Sequence, residues 1–420
     1  MAAAFRDPGN AACAALAVAW AAGLAFILAH RIYVTNDSLS NYIHVWYVAD
    51  RFWGGHGIPL RMPSLGHGDA FAFPYGFIPW FTAALARPLL GDWVVTLWLV
   101  IGALGVIATQ WWAFPELRRG WWTAMMLANP ILVEAPLLGQ LPFLWATAMT
   151  FAAIALWRAD RRLLAAIVFG AAQATHPAVI LPLAGCLVAG RLWREPRRLR
   201  LLALYALSLA IAAPATYLVL ASPSVGDSST ATLLGTFFGT LSLRALVVGA
   251  PFIALLARKT PLDRIKVPAL VIIASLNLIL VPVRKNEFGW TALVRTPDTS
   301  LSAYIDSPAF DPDGEYRILR VGDGKVGMYE LVRAGASLDS EPFPESIDRR
   351  SFAGAAEYAR FLGRREVDYV IVYDAYDRRY GTNEHYMLAE MAKAGISPCA
   401  QAVIQGDGFD VYRILGYENC

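Results

Sequence analysis

The sequence predicts a polytopic α-helical membrane bundle of about 8–10 membrane segments, followed by a C-terminal soluble α/β domain. Composition is the first reason. Of the 420 residues, 57% are hydrophobic and 16% are charged, against averages of about 45–50% and about 25% in soluble proteins. The second reason is the charge distribution: residues 1–283 have a net charge of +9, and residues 284–420, fewer than half as many, have a net charge of −6. We therefore predict a membrane domain over 1–283 and an extracytoplasmic α/β domain over 284–420.

The composition also excludes several classes of protein. A chain with so few charges and so many apolar residues is not disordered, is not a disulfide-rich secreted scaffold, and is not an ordinary cytosolic enzyme. The overall net charge is only +3, and the sequence has no basic stripe with interleaved aromatic residues. We therefore expect no nucleic-acid partner.

The first apolar segment, residues 11–30, contains no Asp, Glu, Lys or Arg. At about 1.5 Å per residue, a helix of this length spans the hydrocarbon core of about 30 Å. A cleaved signal peptide has a shorter apolar centre, and it has more charge in front of that centre than Arg6 alone provides. We predict a retained first transmembrane helix.

Further apolar runs follow this helix, and several are shorter than a full membrane span. Tilted, re-entrant and internally buried segments have such lengths. The runs are 77–90, 93–113, 121–138, 141–157, 163–175, 177–190, 201–221, 244–257 and 267–283.

Three basic clusters orient the bundle, because cytoplasmic loops collect Lys and Arg. The clusters begin at Arg158, Arg191 and Arg258. If all three are cytoplasmic, the chain leaves the last apolar run on the outer side of a membrane, which we expect to be a bacterial plasma membrane. The pair Arg118-Arg119 fits this orientation only if one of the runs 77–90 and 93–113 is re-entrant.

The outer loop, residues 31–76, is long for a connection between membrane helices, and loops of this length usually carry function. From Leu39 to Trp53, apolar and aromatic residues recur at close to helical spacing, which predicts a helix lying in the interface plane. Asp37, just before it, has two interpretations. Its carboxylate can serve a reaction at the membrane surface, or it can accept backbone N–H bonds as the N-cap of that helix.

Four side chains in this loop could bind a divalent metal such as Mg²⁺ or Mn²⁺. They are His44, His56, His67 and Asp69. Their spacing matches no compact metal motif, so separate loop residues are the alternative interpretation, and the sequence assigns no definite cofactor.

Four stretches in the first half of the chain form a recognisable pattern. They are Asn36-Asp37, residues 53–63 from Trp53 to Pro63, residues 66–79 from Gly66 to Pro79, and Asn129-Pro130 with Gly139-Gln140. The pattern resembles the integral-membrane glycosyltransferases of the GT-C superfamily, which have a long outer loop with an acidic residue near its start. The likeness covers roughly residues 11–190. The chain departs from the family in having no Asp-x-Asp or Glu-x-Asp pair in the loop, and in having His176 where a basic residue is often found.

The resemblance implies an inverting glycosyltransferase that moves a sugar from a polyprenyl-phosphate donor to a glycan, lipid or protein acceptor on the outer face of the membrane. Asp37 is then the general base that takes the proton of the acceptor hydroxyl. Cationic or polar side chains must hold the leaving phosphate and the sugar. The candidate substrate-binding residues are Arg61, His67, Asp69, Tyr75, Glu134, Gln140, His176, Arg244 and Arg284.

Simpler interpretations accompany these assignments. The arginines can be interfacial anchors, Gln140 can cap its helix, and Glu134 can sit near a helix end where an ionisable group costs little. At the level of function, the alternative is a non-enzymatic lipid or glycan transporter or an envelope assembly factor. A transporter usually has paired broken helices in repeated halves, and the sequence has no such repeat.

Residues 284–420 predict strands and helices in alternation, ending in a hairpin. The predicted strands are 316–321, 367–373, 400–404 and 409–414, and the predicted helices are 352–363 and 386–394. The domain has no nucleotide-binding motif. The resemblance to the GT-C superfamily implies that an appended domain of this kind binds or positions the acceptor. Cys399 and Cys420 flank the hairpin and could form a disulfide if the domain lies outside the cytoplasm.

Overall fold

The structure is a computed structural model, and it divides the chain into two compact units. It describes residues 7–29, 38–65, 69–70, 76–118, 120–129, 132, 135–136, 138–192, 196–220, 268–272, 299–319, 324–339, 351–393, 398–406, 408–417 and 420. The first unit, here called the helical unit, comprises Met1–Tyr33, His44–Leu60 and Ala70–Glu287. The second, the sheet unit, comprises Val34–Ile43, Arg61–Asp69 and Phe288–Cys420.

Apolar helices make up the helical unit. They are α1 (Pro8–Ala29), α2 (Ser38–Trp53), whose first residues belong to the sheet unit, α3 (Phe77–Leu90), α4 (Trp93–Ala113), α5 (Gly120–Leu127), α6 (Leu141–Arg158), α7 (Arg162–Thr175), α8 (Pro177–Leu192) and α9 (Arg198–Leu220). Of these, α1, α4, α6 and α9 are long and apolar enough to cross a membrane. Two short strands, β1 (Arg61–Met62) and β2 (Asp69–Ala70), pair with each other between α2 and α3.

Small residues allow close approach between helices of this unit. A Cβ atom on Gly102 of α4 would lie 3.0 Å from the Trp145 side chain of α6. One on Gly170 of α7 would lie 2.8 Å from the Ser208 carbonyl oxygen of α9. Membrane helices characteristically use small residues in this way, because dispersion contacts rather than apolar burial hold them together.

Helices α4 and α6 run in the same direction. Near their starts, the indole N–H of Trp145 donates to the carbonyl oxygen of Trp98 at 3.2 Å. At their ends, Arg158 donates to the carbonyl oxygen of Ala113 at 2.8 Å. The chain must therefore return along the bundle between α4 and α6, and α5 begins this return. We call the end that holds Arg118 and Arg158 the basic end.

Helix α1 begins at the basic end, because it packs beside α5. A Cβ atom on Gly9 would lie 2.6 Å from the backbone nitrogen of Trp121, which follows the first residue of α5. Further along both helices, the indole N–H of Trp20 donates to the carbonyl oxygen of Leu127 at 3.1 Å. The chain thus leaves α1 toward the end of the bundle opposite the basic end.

Both ends of α3 lie at that opposite end. Just before α3, a Cβ atom on Gly76 would lie 1.8 Å from the Cα atom of Thr175, the last residue of α7. After α3, an ion pair of 2.8 Å between Arg87 and Asp92 marks a tight junction to the start of α4. Helix α3 therefore has both of its ends at this end of the bundle, which is consistent with the expectation that one of the runs 77–90 and 93–113 is not a full crossing.

One predicted segment needs correction. The apolar run 121–138 is not a continuous helix, because α5 ends at Leu127 and a turn follows at Ala128 and Asn129. Proline at position 130 explains the break, since it lacks the N–H that continues a helix and disfavours the helical conformation of the residue before it. The run 244–257 lies outside the described residues, and of the run 267–283 only 268–272 are described, as helix.

The sheet unit is built on a mixed five-stranded sheet in the order β4-β3-β5-β7-β6. Its elements are α10 (Thr299–Ile305), β3 (Glu315–Leu319), α11 (Gly324–Arg333), β4 (Ser337–Leu338), α12 (Ala355–Gly363), β5 (Tyr369–Tyr373), α13 (Tyr376–Tyr380), α14 (Glu384–Lys393), β6 (Ala400–Gln405) and β7 (Phe409–Ile414). Strand β3 is parallel to β4 and β5, while β5–β7 and β6–β7 are antiparallel. The predicted C-terminal hairpin is confirmed.

The first loop contributes to this sheet. Leu65 bridges Leu338 of the edge strand β4 in parallel fashion, and the N–H of Leu338 donates to the carbonyl oxygen of Ser64 at 2.9 Å. The Tyr42 ring from the start of α2 lies 5.9 Å from the Tyr329 ring of α11. Two segments of the first loop and the C-terminal region thus form one body, and the loop covers an edge strand that would otherwise be open to pairing.

The two cysteines of the sheet unit are joined. Cys399, just before β6, forms a disulfide with Cys420, and their Cα atoms are 5.8 Å apart. The predicted pairing is therefore confirmed. The bond fixes the chain end that follows β7 to the start of the neighbouring strand.

The fold class is confirmed in its coarse form: the chain is mostly helical, has four helices of membrane length, and has a sheet in its C-terminal region. Three shorter apolar helices, Phe77–Leu90, Arg162–Thr175 and Val179–Leu192, accompany them. The count of about 8–10 membrane segments stays a prediction.

Candidate functional site

Polar residues gather at the end of the helical unit opposite the basic end, which we call the histidine end. His176 lies between α7 and α8, with only 1% of its surface exposed. Its backbone N–H donates to the carbonyl oxygen of Ala172 at 3.1 Å, and its ring meets that of Phe143 edge-on at 5.5 Å. Pro177 follows and starts α8, a position that suits proline because the first turn of a helix needs no N–H donor from it.

Gln140 lies beside this corner, at the start of α6. Gly139 before it has φ +74°, a left-handed conformation that favours glycine. The N–H of Gln140 donates to the carbonyl oxygen of Ala135 at 2.8 Å, and its side chain makes no capping hydrogen bond to α6. Gln140 is 8% exposed, and Phe143 is one turn further along α6. The fold thus brings the predicted residues Gln140 and His176 to the same end of the bundle.

A second buried histidine belongs to this region. The ring of His44 on α2 stacks on Trp80 of α3, with centroids 4.1 Å apart and planes at 11°. His44 is 2% exposed and Trp80 is fully buried. Trp80 lies one turn after Gly76, whose backbone packs against Thr175 next to His176. One continuous set of contacts therefore links His44 to the corner that holds His176.

Helix α2 corrects one expectation. The predicted helix is present, but its residues 38–45 are buried on every side, whereas a helix lying flat in the interface exposes a polar face. The buried polar residues of this stretch are Ser38, Ser40, Asn41 and His44. Buried polar groups need hydrogen-bond partners. Specific polar contacts therefore hold this stretch in place, rather than non-specific association with the membrane interface.

The remaining predicted site residues are placed as follows. Arg61 lies on β1 of the sheet unit and is partly buried. Outside the described residues are Asp37, His67, Tyr75, Glu134, Arg244 and Arg284, together with the side chain of Asp69. Because α2 begins at Ser38, Asp37 directly precedes the first helical residue, so both the N-cap and the general-base interpretations stay open.

The metal hypothesis gains no support from the part of the chain that the structure describes. No group of three or more His, Cys, Asp or Glu side chains converges there. Of the four predicted ligands, His44 is buried in α2, whereas His56 lies exposed in the turn that follows that helix. These two imidazoles therefore sit in different environments.

A second charged cluster lies inside the sheet unit. The guanidinium of Arg317 binds both carboxylate oxygens of Glu384, at 3.0 and 3.1 Å, and one oxygen of Asp339 at 3.0 Å. Arg365 donates to the other oxygen of Asp339 at 3.2 Å, and Phe361 lies under Arg317, 4.9 Å from ring centre to guanidinium carbon.

This cluster is structural in character, because Arg317, Asp339 and Glu384 are each at most 3% exposed. Burial is the largest single influence on the pKa of Arg317 and lowers it, but the charge and hydrogen bond of Glu384, together with the nearby Tyr358 and Asp339, hold that pKa well above its ordinary value. Burial also raises the pKa of Tyr358, whose hydroxyl lies close to the same carboxylate. Arg317 therefore stays charged while Tyr358 stays neutral.

Comparisons with family models, curated proteins and solved structures found no match to this chain. At the histidine end, an amide and two imidazoles lie where water is largely excluded, and hydrogen bonds in such surroundings gain strength from the low local dielectric.

Sequence reasoning missed two features. The pairing of His44 with Trp80 was not foreseen, although a histidine among small polar residues on an otherwise apolar helix is a signal that could have found it. Gln110, a buried amide in the most apolar helix, was also passed over.

Proposed function

We propose that this chain is a membrane glycosyltransferase that moves a sugar from a polyprenyl-phosphate donor to an acceptor hydroxyl at the membrane surface. The observation that carries the proposal is the make-up of the sheet unit. It combines Val34–Ile43, the segment to which Asp37 belongs, with the C-terminal region Phe288–Cys420. A catalytic loop and an acceptor-positioning domain need this kind of association.

The main-chain pairing between Ser64 and Leu338 has a consequence for topology. These two residues can form a hydrogen bond only if the first loop and the C-terminal region lie on the same side of the membrane. Since α1 starts at the basic end and cytoplasmic ends are basic, that side is the outer one. Donor, base and acceptor-binding domain then share one compartment.

The reaction follows from the groups available. An acceptor hydroxyl oxygen attacks the anomeric carbon of the sugar, and the bond from that carbon to the lipid phosphate oxygen breaks with its electron pair. The acceptor proton passes to the carboxylate of Asp37, a step that typically contributes about 10²–10⁴-fold. Because attack comes from the face opposite the leaving group, the configuration at the anomeric carbon inverts.

Gln140 and His176 take the binding roles in this proposal. The leaving phosphate gains negative charge as the bond breaks, and donors fixed in a buried site stabilise that charge without reorganising. His176 is held by Phe143 and by the α7–α8 corner, and Gln140 by the turn at Gly139. We assign the phosphate to His176 and sugar hydroxyls to Gln140.

The decisive test compares cells that lack the protein with cells that carry the wild type or Asp37→Asn at equal membrane abundance. Mass spectrometry of glycolipids and envelope glycans should show that Asp37→Asn loses a sugar-bearing species and accumulates its precursor, with an activity loss of about 100-fold or more. The mass difference identifies the sugar. The matched control is Asp50→Asn, which changes an exposed carboxylate on α2 and should leave the profile as in the wild type.

A second arm separates a transferase from a transporter or assembly factor. In detergent micelles there are no compartments, so a transporter has nothing to move, whereas a transferase still joins sugar to acceptor. Product formation by the purified wild type in micelles supports the proposal. An unaltered glycan profile for Asp37→Asn, in a strain where full deletion changes it, would assign Asp37 to the helix cap and reject the proposed mechanism.

A further inference from the structure

A cavity of about 220 Å³ lies in the helical unit near the basic end, between α1, α4 and α5. Its walls are almost entirely apolar and include Ile107 and Trp111 of α4 and Met126 of α5. The basic end is close, because Arg118 donates to the carbonyl oxygen of Trp111 at 2.7 Å. The cavity is thus separate from the histidine end and from the residues of the proposed reaction.

Gln110 is the exception among these apolar walls. Its side chain lines the cavity and is 1% exposed, and neither its amide nitrogen nor its amide oxygen has a hydrogen-bond partner in the described part of the chain. The hydroxyl of Thr123, another lining residue, already donates to the carbonyl oxygen of Leu117 at 3.3 Å. A buried amide without partners is costly, and such a group in a native fold calls for an explanation.

We propose that this cavity binds a lipid alcohol, a molecule whose polar part is one uncharged hydroxyl on a long apolar chain. A hydroxyl both donates and accepts, so it can satisfy the oxygen and the nitrogen of Gln110 together. The chain segment next to the hydroxyl fills the apolar space, and the rest of the chain lies in the bilayer. A long-chain saturated alcohol and an isoprenoid alcohol share this chemistry.

Other occupants fit less well. The cavity has room for about seven waters at about 30 Å³ each, but a buried water needs two to four polar partners and this site offers one free amide. A carboxylate or phosphate would be desolvated without a counter-charge from the cavity walls, since the lining residues with polar groups are Cys13, Gln110, Trp111 and Thr123 and none of them carries a charge. Apolar cavities of similar size stay dry and take up apolar guests.

The test uses the full-length chain in nanodiscs of zwitterionic lipid and a long-chain primary alcohol with a photoreactive group beside its hydroxyl. Two matched probes carry a methyl or a carboxylate in place of the hydroxyl. Mass spectrometry should find the alcohol label on α1, α4 and α5, around Cys13, Gln110 and Met126. Competition with unlabelled saturated and isoprenoid alcohols then shows which chain the cavity prefers.

The variant Gln110→Leu should reduce labelling by the alcohol about tenfold, to the level of the methyl probe, because two hydrogen bonds are lost. Gln173→Leu is the matched control: that amide donates to Ser208 at 3.0 Å, lies away from the cavity, and its loss should leave labelling unchanged. Cys13→Phe, which fills the cavity while keeping Gln110, should also block labelling. Equal labelling by all three probes, preference for the carboxylate probe, or no label on these helices would each overturn the proposal.

Discussion

At the scale of single residues, the stability of the sheet unit depends on Arg317. Removing one partner of a buried ion pair leaves uncompensated charge, which typically costs about 3–5 kcal/mol. We therefore expect Arg317→Met to lower the free energy of unfolding of the sheet unit by about this amount, because Glu384 and Asp339 then stay buried without their cation. Pulse proteolysis of the full chain in increasing urea, followed through a C-terminal tag, measures the change.

The control for this prediction is Arg365→Met. Arg365 binds the same Asp339 at 3.2 Å, but its side chain is 31% exposed, and ion pairs of that kind contribute about 0–1 kcal/mol. The two variants remove the same charge from the same cluster. Equal effects of both variants would show that burial does not decide the contribution of these arginines.

A second residue-scale prediction concerns a pair of buried tyrosines, Tyr304 of α10 and Tyr316 of β3. The hydroxyls of Tyr304 and Tyr316 are 3.0 Å apart and both side chains are fully buried. Burial raises the pKa of Tyr304 to about 12 and raises that of Tyr316 further, so the folded state keeps protons that the unfolded chain releases near pH 10. The unfolded state then binds fewer protons, and stability falls as the pH rises above about 10.

The measurement is the unfolding temperature of the full chain between about pH 9 and pH 12, in the wild type and in the double variant Tyr304→Phe/Tyr316→Phe. We expect the fall above about pH 10 to be less steep in the double variant. It should not vanish, because burial also raises the pKa of Tyr358 and Tyr376. Parallel curves for the two proteins would contradict the assignment.

At the scale of elements, we expect both ends of α3 to lie on the same side of the membrane. Both of its ends lie at the histidine end, and Leu89 near its last residue is 89% exposed. A Leu89→Cys variant should react in intact cells with a thiol reagent that cannot cross the membrane. Asp160→Cys, in the α6–α7 turn at the basic end where the native side chain is 82% exposed, should react only after permeabilisation.

These labelling experiments require a background without free thiols, so Cys13 and Cys186 are first replaced by alanine. The reverse pattern, in which Asp160→Cys reacts from outside and Leu89→Cys reacts only after permeabilisation, would show that α3 crosses the membrane. The pair is matched, because each side chain is exposed and lies next to a short turn between helices.

Helices such as α4 and α6 start and end within about two residues of the predicted runs, because apolar periodicity and the breaks that end it are local properties of the chain. The course of α3 was left open, because it depends on the packing of Gly76 against Thr175, which are far apart in sequence. The two-residue strand β4 was not predicted from the sequence for the same reason, because it pairs with β3 and with Leu65, which is distant in sequence.

The candidate site shows the same difference between features that follow from the local sequence and features that depend on packing. His176 was found because proline beside a histidine between two apolar runs is a local pattern. The stacking of His44 on Trp80 and the missing partners of Gln110 depend on which helices become neighbours. A single sequence shows which residues carry polar chemistry in an apolar segment, but not what surrounds them.

At the scale of the whole molecule, the sheet unit fixes the parity of the membrane crossings. It contains the first-loop segments Val34–Ile43 and Arg61–Asp69 together with the C-terminal region, so we infer that the chain between them crosses the membrane an even number of times. We infer crossings by α4, by the return through α5, and by α6, α7, α8 and α9, which is even. For residues 221–298 the sequence predicts two crossings, by the apolar runs 244–257 and 267–283, which is also an even number.

Topology reporters fused after Leu220 and after Cys420 should accordingly report the same, non-cytoplasmic side. The disulfide gives an independent readout, because a Cys399–Cys420 bond persists only where the compartment is oxidising. With Cys13 and Cys186 replaced, a polymer-linked maleimide added to protein from freshly lysed cells should cause no mass shift before reduction and a two-thiol shift after it. A two-thiol shift before reduction would place the sheet unit in the cytoplasm, where the proposed transfer from an outward-facing lipid-linked donor could not occur.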